Sequence, residues 1–329
     1  MESFLFAVSA VAPIILMVVI GYFLKRIGLV NAELTKALNK LVFRVFLPAM
    51  LFLNVYKIED IGSMDMTYIL YTVIFTLVVF VISIPVVIVV SRHKERRGVI
   101  LQSTFRSNFA LIGLPLANQL FGEAGLAVAT LMSAVIIPVY NILAVISLTV
   151  FTGGGEKKPS AKGILLGIVK NPLIQSVVAG LVALLVRSLF VRFDIAFRLS
   201  DITPVYTVLG YLSGVATPLA LVALGAQFEF SAIASLKKEI IYGTLMRTAI
   251  VPLLGIGIAF VLFGSRFGGA HFATFVAVFA TPVAVSSVPM TQEMGSDTAL
   301  AGQLVVWTTI ISAFSVFIAT FLLRLTGIL

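Results

Sequence analysis

Two prolines, Pro115 and Pro289, lie inside long apolar stretches among side chains that donate or accept hydrogen bonds. Each is followed eleven residues later by a Leu-Ala pair, Leu126-Ala127 and Leu300-Ala301. Proline removes a backbone N–H from a helix and clashes with the preceding turn, so both stretches are expected to be broken helices. Backbone freed in this way at membrane depth must be buried in protein or line a cavity. The two breaks therefore predict a ligand site between them.

Neutral polar residues gather around the breaks, and they suit recognition of an anion. The half-helix that follows each proline points its positive N-terminal end at the break. Amides there can donate to a carboxylate in place of water, and a small residue before the proline lets the backbones approach. The residues predicted to bind substrate are Arg106, Asn108, Gly113, Pro115, Asn118, Tyr140, Asn141, Ser286, Ser287, Pro289, Gln292 and Arg44.

Three arginines, Arg44, Arg106 and Arg247, fall at membrane depth without carboxylates at the same depth. The nearest carboxylates, Glu123 and Glu293, end their helices. A charge at this depth is costly and usually functional, so a net positive cavity is expected to take an anionic substrate. A structural role stays open, since a cation can neutralise the carbonyl end of a broken helix or extend its head to the interface.

A second set of polar side chains could couple transport to H⁺ or Na⁺. This set consists of Thr130, Ser133, Glu293 and Gln303. A side-chain amide can coordinate a sodium ion through its oxygen and can donate to an anion through its N–H groups. A sodium-coupled symporter similar to the bile-acid carriers therefore remains the alternative, with Asn118, Thr130, Gln292 and Glu293 as ligands.

The composition is that of a helical protein that crosses the membrane many times. Of the 329 residues, 60% are hydrophobic and 11% charged, and the mean hydropathy is +1.13. Runs of about 20 apolar residues cross the bilayer. We predict ten spans, at 4–24, 34–56, 66–91, 98–121, 125–151, 171–191, 204–227, 239–263, 269–293 and 298–323.

No enzymatic activity, metal site or cofactor is predicted. Cysteine is absent, which excludes disulfides and thiolate chemistry. The sequence offers no Ser-His pair, buried carboxylate dyad or cluster of metal ligands that would indicate a catalytic site.

The chain reads as two similar halves. The first repeat covers 1–151, the polar linker 152–163, and the second repeat 164–329. Pro48 matches Pro218, and the breaks at Pro115 and Pro289 match each other in the same order along the chain. Because five spans per repeat is an odd number, the second repeat should be inverted in the membrane.

The distribution of charge sets the expected orientation. With the N-terminus outside, thirteen Lys and Arg residues face the cytoplasm and six face outward. This asymmetry follows the positive-inside rule and places both termini outside. The net charge of +9 is therefore explained by topology, and no nucleic-acid partner is predicted.

The motif N-x-x-x-x-G-x-P-L, from Asn108 to Leu116, is followed by Gly122-Glu123, and span two reads NKLVFRVFLPAMLF. The chain resembles the auxin efflux carrier family, which includes bacterial malonate and malate carriers. That resemblance implies ten helices, with helices 4 and 9 crossing at their prolines. It also implies a scaffold of helices 1, 2, 6 and 7 and a transport domain of helices 3–5 and 8–10.

The resemblance further implies alternating access, of the elevator type, for small organic anions. Plant members carry a long cytosolic insert, and a serine where this chain has Leu51. These differences favour a mono- or dicarboxylate and the bacterial inner membrane. A membrane receptor built on the carrier fold and assembly as a homodimer are left open by the sequence.

Overall fold

The computed structural model describes the backbone of residues 2–58, 65–152 and 161–329, with side chains from 12–58, 65–151 and 165–329. Its helices are α1 (Glu2–Arg26), α2 (Ala32–Tyr56), α3 (Met66–Val90), α4 (Lys94–Phe105), α5 (109–121), α6 (123–152), α7 (Ala161–Val169), α8 (Pro172–Arg192), α9 (Thr203–Gln227), α10 (Ala232–Phe263), α11 (Gly269–Phe279), α12 (Ser287–Glu293) and α13 (Thr298–Leu325). Most of the predicted linker, residues 153–160, lies outside the described residues.

Membrane-spanning helices account for this architecture. Seven helical stretches among the described residues are long and apolar enough to cross a bilayer. The described residues contain no strand beyond one isolated β-bridge. Large apolar side chains such as Val81, Leu185 and Val261 are exposed on the outer surface, as expected of helices that face lipid. The prediction of an all-helical membrane protein is confirmed.

A glycine separates α5 from α6 within one helical stretch, Leu114–Thr152. Gly122 has φ 60° and ψ −154°, and the preceding Phe121 is also outside the helical region. This combination of φ and ψ is open to glycine and strained for other residues. The predicted boundary between spans at 121 and 125 agrees with this kink.

Three helices contain a short π-helical turn just before a proline. The turns Val42–Phe46, Phe109–Gly113 and Met246–Ile250 precede Pro48, Pro115 and Pro252. In each, the residue directly before the proline donates to the carbonyl five residues back. Because proline cannot donate to the preceding turn, widening that turn redistributes the remaining hydrogen bonds.

The helices pack as two groups that touch along one boundary. In one group, α1 packs on α9, and α2 packs on α8 and α9. In the other, α11 lies against the α5–α6 stretch, α4 against α3 and α6, and α13 against α10 and α12. Contacts of α1 with α13 and of α2 with α12 join the groups.

Glycine allows the closest approach within the first group. A side chain at Gly21 of α1 would overlap the backbone of Val222, and one at Gly225 of α9 would overlap the backbone of Val18. Small residues at such crossings let two membrane helices pack backbone to backbone. The α1–α9 pair is therefore a tightly packed unit on one side of the molecule.

Candidate functional site

Two helices break at the same place in the molecule. Helix α4 ends before residues 106–108 and α11 ends before residues 280–286, and the chain then continues into α5 and α12. Pro115 and Pro289 lie beyond these breaks, within the helices that follow. The predicted breaks are confirmed, but the crossing lies on the N-terminal side of both prolines. Pro289 lies in the first turn of α12, where a missing donor costs least, and Pro115 follows the π-helical turn Phe109–Gly113 of α5.

The two extended segments pair with each other. Ser107 and Val283 form an antiparallel bridge, and the Asn108 backbone N–H donates to the Pro282 oxygen at 2.7 Å. The Val283 N–H donates to the Thr308 hydroxyl of α13 at 3.1 Å. Non-helical backbone is thereby satisfied inside the protein, as membrane depth requires.

Arg247 holds the carbonyl ends of both broken helices. Its guanidinium is fully buried and donates to the backbone oxygens of Phe105 at the end of α4 and Val278 and Phe279 at the end of α11. A fourth bond reaches the Thr281 oxygen at 2.8 Å. A cation is stabilised where helix dipoles present carbonyls, so Arg247 has the structural role that the sequence left open.

Arg106 is also buried, at 2% exposure, but its partners are neutral side chains. One terminal nitrogen donates to Asn141 Oδ1 at 2.8 Å and to Ser286 Oγ at 2.9 Å. The other lies 3.2 Å from Gln102 Oε1 and 3.1 Å from the Met290 sulfur. In the described part of the chain, no carboxylate pairs with this guanidinium. The Arg106 charge is therefore solvated by dipoles without being neutralised.

A small cavity of about 50 Å³ lies beside Arg106, with room for a few water molecules. Its lining residues are Leu47, Met50, Leu51, Arg106, Ser107, Asn108, Ala110, Leu111, Ile137, Tyr140, Asn141, Leu173, Ala216, Thr217, Ala220, Ala284, Val285 and Ser286. Arg106 is the one charged residue of this lining.

Asn108 adds a donor that is without a partner. Its side-chain Nδ2 is buried and has no hydrogen-bond partner among the described residues, and the residue lines the cavity. A buried donor left unpaired costs about 1–3 kcal/mol. Nearby, the Ser107 hydroxyl lies 3.4 Å from the Tyr140 hydroxyl. The cavity thus presents a cation and an unused amide donor to whatever enters it.

The opposite wall of the cavity is nearly all apolar. Helix α2 contributes Leu47, Met50 and Leu51, and α8 contributes Leu173. Helix α9 adds Thr217 between two alanines, and the Thr217 hydroxyl lies 4.0 Å from the Met50 sulfur. The charged and amide side chains of the lining therefore belong to one helical group, and a nearly apolar wall belongs to the other.

Comparison with known proteins identifies the family of this chain. The family described as membrane transport protein matches residues 6–320. The chain belongs to this membrane transport protein family, the family of the auxin efflux carriers. The resemblance expected from the motif around Asn108 is therefore confirmed, and the protein is a membrane transporter.

Relatives of this transporter include proteins of two archaea and of Escherichia coli. An uncharacterized transporter of Methanothermobacter thermautotrophicus is 24% identical over 95% of this chain and 97% of its own. The uncharacterized transporter MJ1031 of Methanocaldococcus jannaschii is 26% identical over 66% of this chain and 67% of its own. The uncharacterized transporter YfdV of Escherichia coli is 25% identical over 86% of this chain and 87% of its own.

Five residues of the predicted substrate set line the transporter's cavity together. They are Arg106, Asn108, Tyr140, Asn141 and Ser286. They come from the crossover and from α6, which the packing of α4 on α6 brings together. The structure therefore brings the two extended segments and the middle of span five together around the cavity.

Three predicted residues lie instead at the boundary between the two helical groups. Arg44 of α2 is exposed and pairs with Glu293 of α12 at 3.1 Å. The Gln292 side-chain oxygen accepts from Asn39 at 2.8 Å and from Gln227 at 3.1 Å. These contacts join α12 to α2 and α9, away from the cavity lining.

The other predicted residues are dispersed. Gly113 packs closely against the Ala277 backbone oxygen, and Ser287 is buried outside the cavity lining. The remaining predicted residues lie near the prolines or on the helices that follow. Pro115 and Asn118 are exposed, and Pro289 is buried in α12. The side chains of Thr130, Ser133 and Gln303 donate to backbone carbonyls. Two of the proposed sodium ligands have partners on other helices: Glu293 pairs with Arg44, and Gln292 accepts from Asn39 and Gln227.

Sequence reasoning missed three residues that belong to the site. Gln102 lies one helical turn before Arg106 and also donates to the Thr291 hydroxyl at 2.9 Å, a spacing that could have identified it. Met290 follows the second proline directly. Thr217 gave no signal, because its approach to the crossover depends on how the two helical groups pack.

Proposed function

We propose that this transporter carries a small organic anion whose carboxylate binds Arg106 and Asn108. The observation that carries the proposal is a buried guanidinium that has only neutral partners. A charge buried without a counterion is costly. A bound carboxylate would supply the missing charge, and its second oxygen could accept from the free Asn108 amide.

The size of the cavity favours a small cargo. About 50 Å³ accommodates little more than a carboxylate group, so a mono- or dicarboxylate needs only a modest parting of the walls. A bulky indole acid would require a much larger displacement. Dicarboxylates would have to place their second group near Tyr140 or Thr217, which supply hydroxyls on the same lining.

The packing supports alternating access of the elevator type. In this proposal α1, α2, α8 and α9 form the scaffold, and α3–α6 with α10–α13 form the transport domain. The recognising side chains all lie on the transport domain, and the scaffold presents a mainly apolar wall. Such a wall can slide past the site without exchanging hydrogen bonds with it. The ten spans are two inverted repeats, 1–151 and 164–329, joined by the linker 152–163.

We further propose that the protein lies in the bacterial inner membrane with both termini outside, as its charge asymmetry favours. Single cysteines introduced at Gly154 and Ser200 would test this in intact cells. An impermeant reagent should label position 200 and leave position 154 unlabelled. The coupling ion, H⁺ or Na⁺, and a homodimeric state belong to the same proposal.

Flux into liposomes tests the proposed function. Purified protein is reconstituted into liposomes, and radiolabelled mono- and dicarboxylates are added outside, at two pH values and with or without sodium. Uptake should saturate with a carboxylate, and Arg106→Gln should abolish it while Arg192→Gln, an exposed arginine at the end of α8, should not. Binding without flux would identify a receptor and contradict the carrier.

A further inference from the structure

A second concavity lies between α10 and α13 on the outer surface, and its lining shares no residue with that of the candidate site. Its volume is about 920 Å³. We call it the lateral groove, and its lining residues are mostly apolar side chains of these two helices, among them Ile241, Leu253, Gly257, Phe314 and Ile318. Leu253 and Phe314 are 70% and 55% exposed. The groove therefore opens to the hydrocarbon of the membrane.

One charged residue, Lys237, lines the groove at its α10 start. It is exposed, and its ammonium forms no ion pair among the described residues. Neighbouring charges are engaged elsewhere: Glu239 pairs with Arg96 at 3.3 Å, and Lys238 reaches the Val89 carbonyl at 3.4 Å. A cation without an ion-pair partner at one end of the apolar lateral groove is complementary to an amphiphile with an anionic head group.

The groove is long enough for acyl chains. From Lys237 to Phe260 it follows α10 for roughly 35 Å at 1.5 Å per residue, close to the hydrocarbon thickness of ~30 Å. A lipid whose head group lies at Lys237 belongs to one leaflet, so its chains occupy the part of the groove between Lys237 and Pro252.

From the groove's shape and its single cation, we propose that it binds an anionic phospholipid. The phosphate pairs with Lys237, and the acyl chains lie along the apolar wall between α10 and α13. The lipid belongs to the leaflet at the N-terminal end of α10. Because α10 and α13 are packed on the two broken helices, the bound lipid fills a gap in the same helical group that carries Arg106.

An alanine in the groove provides a variant that fills it within reach of the lipid's acyl chains. Ala249 lines the groove, is exposed, and lies about 18 Å along α10 from Lys237 at 1.5 Å per residue. Leucine is close to alanine in helix propensity, so Ala249→Leu should fold as the parent does. Ala127 of α6 is exposed outside the groove, so Ala127→Leu is its matched control.

The test measures lipid retained by the full chain in detergent. Native mass spectrometry follows protein titrated with phosphatidylglycerol or phosphatidylcholine. The parent should retain one phosphatidylglycerol preferentially. Lys237→Gln should weaken that binding about fivefold, as expected for one lysine near an anionic head group, and remove the preference over phosphatidylcholine. Lys238→Gln, next to it but outside the lining, should behave as the parent.

Ala249→Leu should reduce binding of both lipids, and Ala127→Leu should leave both unchanged. Equal retention by Ala249→Leu and the parent would overturn the proposal. So would a parent that binds the two lipids equally. If Ala249→Leu changed the oligomeric state and left lipid binding intact, the groove would instead be an interface between protein chains.

Discussion

Arg106 and Asn141 are joined by a hydrogen bond of 2.8 Å from the guanidinium to the amide oxygen. The two residues come from different helices, one at the end of α4 and one within α6. The Asn141 amide nitrogen donates to the Ile137 carbonyl at 2.9 Å, so the side chain is fixed with its oxygen toward the guanidinium. This bond orients the Arg106 charge and leaves it without a counterion.

Asn141→Asp should convert the site into an internal ion pair. The new carboxylate would lie where the amide oxygen lies and would compete directly with a substrate carboxylate for Arg106. We expect the free energy of substrate binding to weaken by about 2–4 kcal/mol, within the range for disrupting a buried charge interaction. Isothermal titration with the transported carboxylate measures the change.

Asn118→Asp provides the control, since Asn118 is exposed and does not line the cavity. It adds the same charge to the same protein and should leave affinity unchanged. A comparable loss in both variants would mean that charge acts at long range and that contact with Arg106 is not the cause.

Arg247→Gln should lower the stability of the protein and leave substrate binding unchanged. The substitution leaves the carbonyls of Phe105, Val278, Phe279 and Thr281 without their guanidinium partner. Buried groups left unsatisfied cost about 1–3 kcal/mol each, so a large fall in melting temperature and in yield is expected. Any protein that does fold should bind the carboxylate as the parent does. Normal stability with lost binding would place Arg247 in the site instead.

The Arg44–Glu293 pair should govern the rate of transport and leave affinity unchanged. It links α2 to α12, and its arginine is 61% exposed, so its contribution to stability is small. In an elevator the pair must break whenever the transport domain moves. Glu293→Gln should change turnover with unchanged binding, and the reversed pair Arg44→Glu with Glu293→Arg should restore it. Turnover insensitive to both changes would argue against motion at this boundary.

Asp65 gives a pH-dependent contribution to stability. Burial raises its pKa, but bonds from the Thr67 and Tyr68 N–H groups and the charges of Arg266 and His271 outweigh burial, so the pKa is lowered. The stabilisation is complete above about pH 4, where an unfolded aspartate is ionised, and is lost as pH falls through the lower folded pKa. Melting temperatures of the parent and of Asp65→Asn should converge in that acid range; a constant difference would contradict this role.

Much of the fold follows from local sequence. Apolar length predicts the helices, the prolines predict that two of them are broken, and Gly122 separates two spans. The position of the crossing was not predictable from the prolines alone. A proline marks which helix is weakened, but the extended segments form where backbone pairing is available, here between Asn108 and Pro282.

The site could be predicted where a residue beside a break has a side chain suited to binding an anion and is also buried. Arg106 and Asn108 stand beside a break, and both line the cavity. Arg44 is predicted at a membrane depth similar to that of Arg106, but the orientation of α2 directs its side chain toward Glu293. The helical face that a residue occupies in a bundle depends on neighbours far along the chain. Sequence spacing therefore could not separate these arginines.

Equilibrium binding of small carboxylates to purified protein measures whether Arg106 recognises the substrate. The parent and Arg106→Gln are titrated with a series of mono- and dicarboxylates, with Arg192→Gln as the control. We expect saturable binding by the parent and by the control. Arg106→Gln should bind at least about 30-fold more weakly, a loss of about 2 kcal/mol. Carboxylate binding that is equally tight in a folded Arg106→Gln protein would contradict the role of Arg106 in binding the substrate.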